Sequence, residues 1–129
     1  MIKLSSPETH DFWEIEVLYE DEHLLVLNKP PLLLTSPDRE DPRRPNLTQL
    51  LHRAIARGAS WSQERGLSYL MPAHRLDAET SGAIMLAKSK PVLIALANLF
   101  GSEQPNRIFV ALVQGPPPEN TFQVEAKLA

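Results

Sequence analysis

A nine-residue polar island, His74 to Gly82, constrains this chain more than any other feature, because it lies between two apolar runs. Tyr69-Leu70-Met71 precedes it and Ala83-Ile84-Met85-Leu86-Ala87 follows it. Segments of that composition are driven out of water, so the island has to be held between two buried strands. Within it, Arg75 and Asp77 stand two residues apart, a spacing that puts both on one face of an extended segment. Thr80, Ser81 and Gly82 supply turn chemistry: two hydroxyls able to bond nearby backbone, and a residue free to take positive φ. A carboxylate near a guanidinium, on a turn between buried strands, suits a reactive acid. It suits a structural ion pair equally, and the residues alone leave both readings open.

The flanking segments supply the frame. Ile15 to Tyr19 and His23 to Asn28 read as a hairpin turned by Glu20-Asp21-Glu22 and stopped by Pro30-Pro31. Residues 31–46, with four prolines and with Arg39, Arg43 and Arg44 among alternating acids, form a long irregular loop; in a protein that binds nucleic acid those arginines would meet phosphates. Asn46 caps a helix carrying Leu47, Leu50, Leu51, Ala54 and Ile55 on one face, and Gly58 closes it. Residues 59–67 read as a polar loop holding Trp61, with a strand from Ser68 to Ala73 leading into the island and one from Ala83 to Lys88 leaving it. Ser89 and Pro91 start a second helix; Val92 to Phe100 is apolar nearly all round, which predicts burial on most sides. Arg107 to Val113 reads as a central strand and Thr121 to Leu128 as the start of another, within which the chain ends. Residues 1–14 lack periodicity and read as an acidic arm or tail, leaving 15–129 as the domain. The order predicts an α+β fold: a mixed, mainly antiparallel sheet with two helices.

His74-Arg75-Leu76-Asp77-x-x-Thr80-Ser81-Gly82 resembles the signature of the RluA-type pseudouridine synthases, which isomerise uridine in ribosomal or transfer RNA. Val17 to Pro30, with its Asn28-Lys29-Pro30 ending, is similar to that family's opening strand pair, and Phe109 to Gly115 to the strand after the signature. The three blocks occur in family order and cover about residues 15 to 115. A salt bridge in a small domain does not account for all three.

The resemblance implies Asp77 as the catalytic nucleophile and Arg75 as the side chain entering the RNA where the target base has flipped out. It implies RNA or loop contacts for His74 and Thr80, and an RNA-facing role for Arg107 and Phe109, with Phe109 stacking on the uracil. The family carries a tyrosine where this chain has Phe109, so any proton transfer by that hydroxyl is lost, and removal of the C5 proton falls to another base or to water. The isomerisation has no redox step, so the resemblance implies no cofactor and no metal. It implies structured RNA as partner, a monomer, a cytoplasmic location and no membrane. The family's catalytic domain normally runs on past this point, so the resemblance also predicts an incomplete domain. The alternative is a truncated, non-catalytic remnant that binds RNA. A glycoside hydrolase using Asp77 and Glu79 as its two acids is a third reading.

Composition narrows the field without choosing. The 129 residues are 43% hydrophobic and 22% charged, ordinary for one globular domain. Cysteine is absent, which excludes disulfides and thiolate metal sites, and the four histidines show no zinc-like spacing. No run of 18 apolar residues occurs, and the N-terminus lacks a signal peptide's apolar core. The net charge of −3 is unpromising for RNA, but it is unevenly spread: residues 1–28 carry −6 and residues 29–129 carry +3. Seven arginines fall between Arg39 and Arg75, on and around the island.

Overall fold

Alternating burial decides the layout of the sheet. The structure, a computed structural model, describes residues 1–102, 105–116, 119–121 and 123. Its strands are β1 (Ile2–Ser6), β2 (Asp11–Ile15), β3 (Val17–Glu20), β4 (Leu24–Lys29), β5 (Met71–Pro72) and β6 (Gly82–Ala87); its helices are α1 (Leu47–Ala56), α2 (Ser60–Glu64) and α3 (Lys90–Gly101). In β4, Leu25, Leu27 and Lys29 turn inward while Asn28 faces water. The strand sits inside a four-stranded antiparallel sheet of order β3-β4-β6-β5. Its register against β6 pairs Leu25 with Leu86, Leu27 with Ile84 and Lys29 with Gly82. One continuous apolar face results, and Lys29 lies at the end of it. Gly82 takes φ +132, which L side chains rarely adopt, so the glycine of the island is required where β6 begins.

The β3–β4 hairpin, the β6 strand and the Asn46-capped α1 stand where the sequence places them. Asn46 accepts a hydrogen bond from the Gln49 N–H at 2.9 Å, and Leu47, Leu50, Leu51 and Ala54 are buried. Gly58 follows with φ +76. The helix packs on β1 and, with the sheet, closes a core that includes Ile2, Leu4, Ile15, Leu33, Trp61 and Leu70.

Several expectations are corrected. Residues 1–14 are not a tail: β1 and β2 form an antiparallel hairpin, and Ile2 and Leu4 are buried because β1 alternates apolar with polar residues. The loop expected around Trp61 contains a third helix, α2, which turns the indole into the core. The strand entering the island shrinks to two residues, since Pro72 has no N–H for a longer ladder. Arg107 to Val113 forms no strand, and Ile108, Val110 and Leu112 are 91%, 99% and 103% exposed. Without that strand α3 packs mainly on β6 and buries none of its residues, with Ile94 and Leu99 exposed. The strand expected over Thr121 to Leu128 lies almost wholly outside the described residues.

Candidate active site

The loop between β5 and β6 is pinned from below. Ala78 is buried, and its carbonyl accepts from the Leu32 N–H and, at 3.3 Å, from Lys29 Nζ. Burying Ala78 leaves its neighbours Asp77 and Glu79 exposed on either side. Thr80 N–H donates to the Asp77 carbonyl at 3.0 Å, closing the turn. Upstream, the buried Thr35 hydroxyl donates to the Leu76 carbonyl at 2.8 Å and accepts from the Leu76 N–H at 3.2 Å. The irregular loop after β4 therefore acts as a cradle: two of its segments grip the island.

Lys29 is the charged part of that cradle. It is 0% exposed, and its ammonium donates to the carbonyls of Pro30 at 2.9 Å and Leu33 at 2.6 Å as well as that of Ala78. Three donors meet three acceptors. Burial holds the Lys29 pKa below its usual value, and the negative charges of Glu79 and Asp77 oppose that shift. A buried cation thus lies under the loop that carries both carboxylates. Arg75 and Asp77 do not form the ion pair that their spacing left open: the ion pairs among the described residues are Glu22–His23, Glu8–Arg53 and Glu20 with Arg65 and Lys88.

A cavity of about 740 Å³ opens beside this loop. His74, Arg75, Glu79, Thr80, Arg107 and Phe109 line it, together with Phe100 from α3. Asp77 is not itself a lining residue; it sits between Leu76 and Glu79, which are. His74 Nε2 accepts the Met85 N–H at 3.0 Å, and its ring lies 4.7 Å from that of Phe100, tilted by 32°. Burial lowers the His74 pKa below 6.5 and the Arg107 charge lowers it further, against a hydrogen bond to the Arg75 backbone. The imidazole is therefore a neutral acceptor tying the island to β6. The Arg107 guanidinium lies 5.0 Å from the centre of the Phe100 ring, completing a stack of His74, Phe100 and Arg107.

Of the sequence-derived candidates, His74, Arg75, Thr80, Arg107 and Phe109 thus share one cavity, and Asp77 is not among its lining residues. Sequence reasoning misses Lys29, Thr35 and Phe100. A signal for Lys29 exists, since a charge in phase with Leu25 and Leu27 must face the core. Thr35 and Phe100 carry no such mark, because their partners are remote in sequence. Among the described residues no group of three or more His, Cys, Asp or Glu could hold a metal ion, and no helix is long and apolar enough to cross a membrane.

An antiparallel sheet presenting a charged turn beside a cavity with aromatic and cationic walls is suited to holding a flat base on an anionic chain. Comparison gives the family. The sequence pattern of RNA pseudouridylate synthases matches residues 23–129, and the chain belongs to that family. An uncharacterized RNA pseudouridine synthase of Mycoplasma genitalium is 36% identical over 116 residues, 90% of this chain and 34% of the relative. The dual-specificity RNA pseudouridine synthase RluA of Salmonella typhimurium is 33% identical over 101 residues, 78% of this chain and 41% of that protein. Among solved structures, human RNA pseudouridylate synthase domain containing 4 matches with a TM-score of 0.51 and 28% identity, over 68% of this chain and 30% of that one. The chain spans about a third of the length of the curated relatives it matches.

Proposed function

We propose that this chain carries the nucleophile-bearing part of an enzyme that converts uridine in ribosomal or transfer RNA to pseudouridine, with Asp77 as nucleophile. One observation carries the reading: the island that matches the family signature holds its carboxylates over a buried Lys29, beside a cavity walled by Phe109, Arg75 and Arg107. The reaction breaks the bond from uracil N1 to ribose C1′, turns the freed base, and joins its C5 to C1′. A carboxylate that supports C1′ while the base is detached meets that need. Phe109, well exposed on the cavity wall, offers a face on which the flipped uracil stacks. Arg75, exposed at the cavity, fills the gap the base leaves in the RNA. The reading carries with it a cytoplasmic monomer acting without cofactor or metal.

The test is tritium release from transfer RNA and large-subunit ribosomal RNA transcribed with uridine labelled at C5. The parent protein releases label, and Asp77→Asn falls to background with its circular dichroism spectrum unchanged. Release by the variant at the parental rate would remove Asp77 from the chemistry. RNA binding without release by either protein would favour a remnant that holds RNA and no longer reacts.

A further inference from the structure

Joining C5 to C1′ leaves a proton on C5 that has to be taken away before the ring regains its conjugation. The cavity contains few groups able to take it. Arg75 and Arg107 are cations and cannot act as bases at neutral pH. Phe109 and Phe100 carry no titratable atom. His74 lines the cavity, but its Nε2 lone pair is committed to the Met85 N–H, and in that tautomer the other ring nitrogen holds a proton. Asp77 is not among the lining residues and is assigned to C1′. That leaves Glu79, the one carboxylate among the described lining residues, next to Thr80 in the chain and lining the same cavity as Phe109.

We infer that Glu79 is the general base that removes the C5 proton, an assignment that rests on the pseudouridine reading above. As C5 bonds to C1′, the Asp77–C1′ bond breaks and its electron pair returns to the Asp77 carboxylate; the Glu79 carboxylate then takes the C5 proton. The C5–H electron pair becomes the C5=C6 bond, the C6=N1 π pair returns to N1, and N1 takes a proton from water. Glu79 then gives its proton to solvent, so the uridine is isomerised with no net gain or loss of atoms. Lys29, buried below the loop and bonded to the Ala78 carbonyl between them, sets one positive charge beneath both carboxylates.

A paired substrate separates this role from a structural one. In RNA containing 5-fluorouridine the transferred base bears fluorine at C5 and has no proton there to lose. Rearrangement therefore proceeds to the C5–C1′ product without a base, and water adds at C6. With C5-tritiated transfer and ribosomal RNA, Glu79→Gln releases label at least about 100-fold more slowly than the parent, the lower range for loss of a general base. With the fluorinated RNA it forms the rearranged nucleoside, one water heavier by mass spectrometry, at the parental rate. Tritium release within a few-fold of the parent overturns the assignment, and so does equal slowing on both RNAs. Asp77→Asn loses both reactions. If the parent performs neither, the pseudouridine reading has failed and the Glu79 role falls with it.

Discussion

Two nitrogen-bearing side chains at the site have their pKa values pulled down by burial, and they solve the problem differently. Lys29 keeps three donors and commits all of them to carbonyls. His74 stays neutral and accepts from the backbone. The second solution depends on acidity. The unfolded chain binds a proton at His74 near 6.5, whereas the folded chain resists doing so until a lower pH. Between those two values the unfolded state holds more protons, so the stability present above 6.5 is lost as pH falls through the window. His74→Gln keeps an acceptor for the Met85 N–H and has nothing to titrate. Urea unfolding midpoints followed from pH 7.5 to 4.5 should therefore decline less steeply for the variant than for the parent. Parallel declines would mean that His74 contributes nothing to acid sensitivity.

At the scale of elements, the loop over residues 31–46 has two jobs on two faces. Its inner face grips the island through Thr35, while Arg39, Arg43 and Arg44 stand exposed on its outer side. Replacing the three arginines with Gln should weaken RNA binding and flatten its dependence on salt, by roughly 0.7 to 0.9 in logarithmic slope for each phosphate no longer neutralised. Binding measured from 50 to 300 mM salt decides it; an unchanged slope would remove the loop from the interface. Elements whose signals are local were readable from sequence: α1 through Asn46 and its apolar stripe, the β3–β4 hairpin through its polar turn and the Pro30-Pro31 stop, and the turn at Gly82. Elements set by distant packing were not. Trp61 makes α2 only because a core is there to receive the indole. The apolar α3 and the run from Arg107 read as buried, and an apolar pattern cannot say whether a covering partner is in place. The cavity was half legible, since the signature names its floor while Phe100 enters it from a helix with no local reason to be there.

For the molecule as a whole, the N-terminal hairpin counts for more than its acidic composition suggests. Ile2, Leu4 and Ile15 are fully buried against the same core that backs β4 and β6. Each such side chain is worth about 1.5–3 kcal/mol, and an ordinary domain is stable by only about 5–15 kcal/mol. Deleting residues 1–14 removes two of the three and strips Ile15 of its strand partner. The shortened chain should lose cooperative unfolding in urea and the slow amide exchange of β4; a sharp transition at the original midpoint would mean the hairpin is an accessory after all.

The pairing of β4 with β6 has a consequence in time. A ribosome delivers Lys29 long before Ala87, and at about 5–20 residues per second the gap is several seconds. Throughout that interval Leu24 to Leu27 is an apolar strand whose central partner has not been made. A charge at the end of such a strand discourages stray pairing with neighbouring chains. Lys29 supplies such a charge at the end of β4, and in the folded chain the same ammonium is the peg beneath the turn.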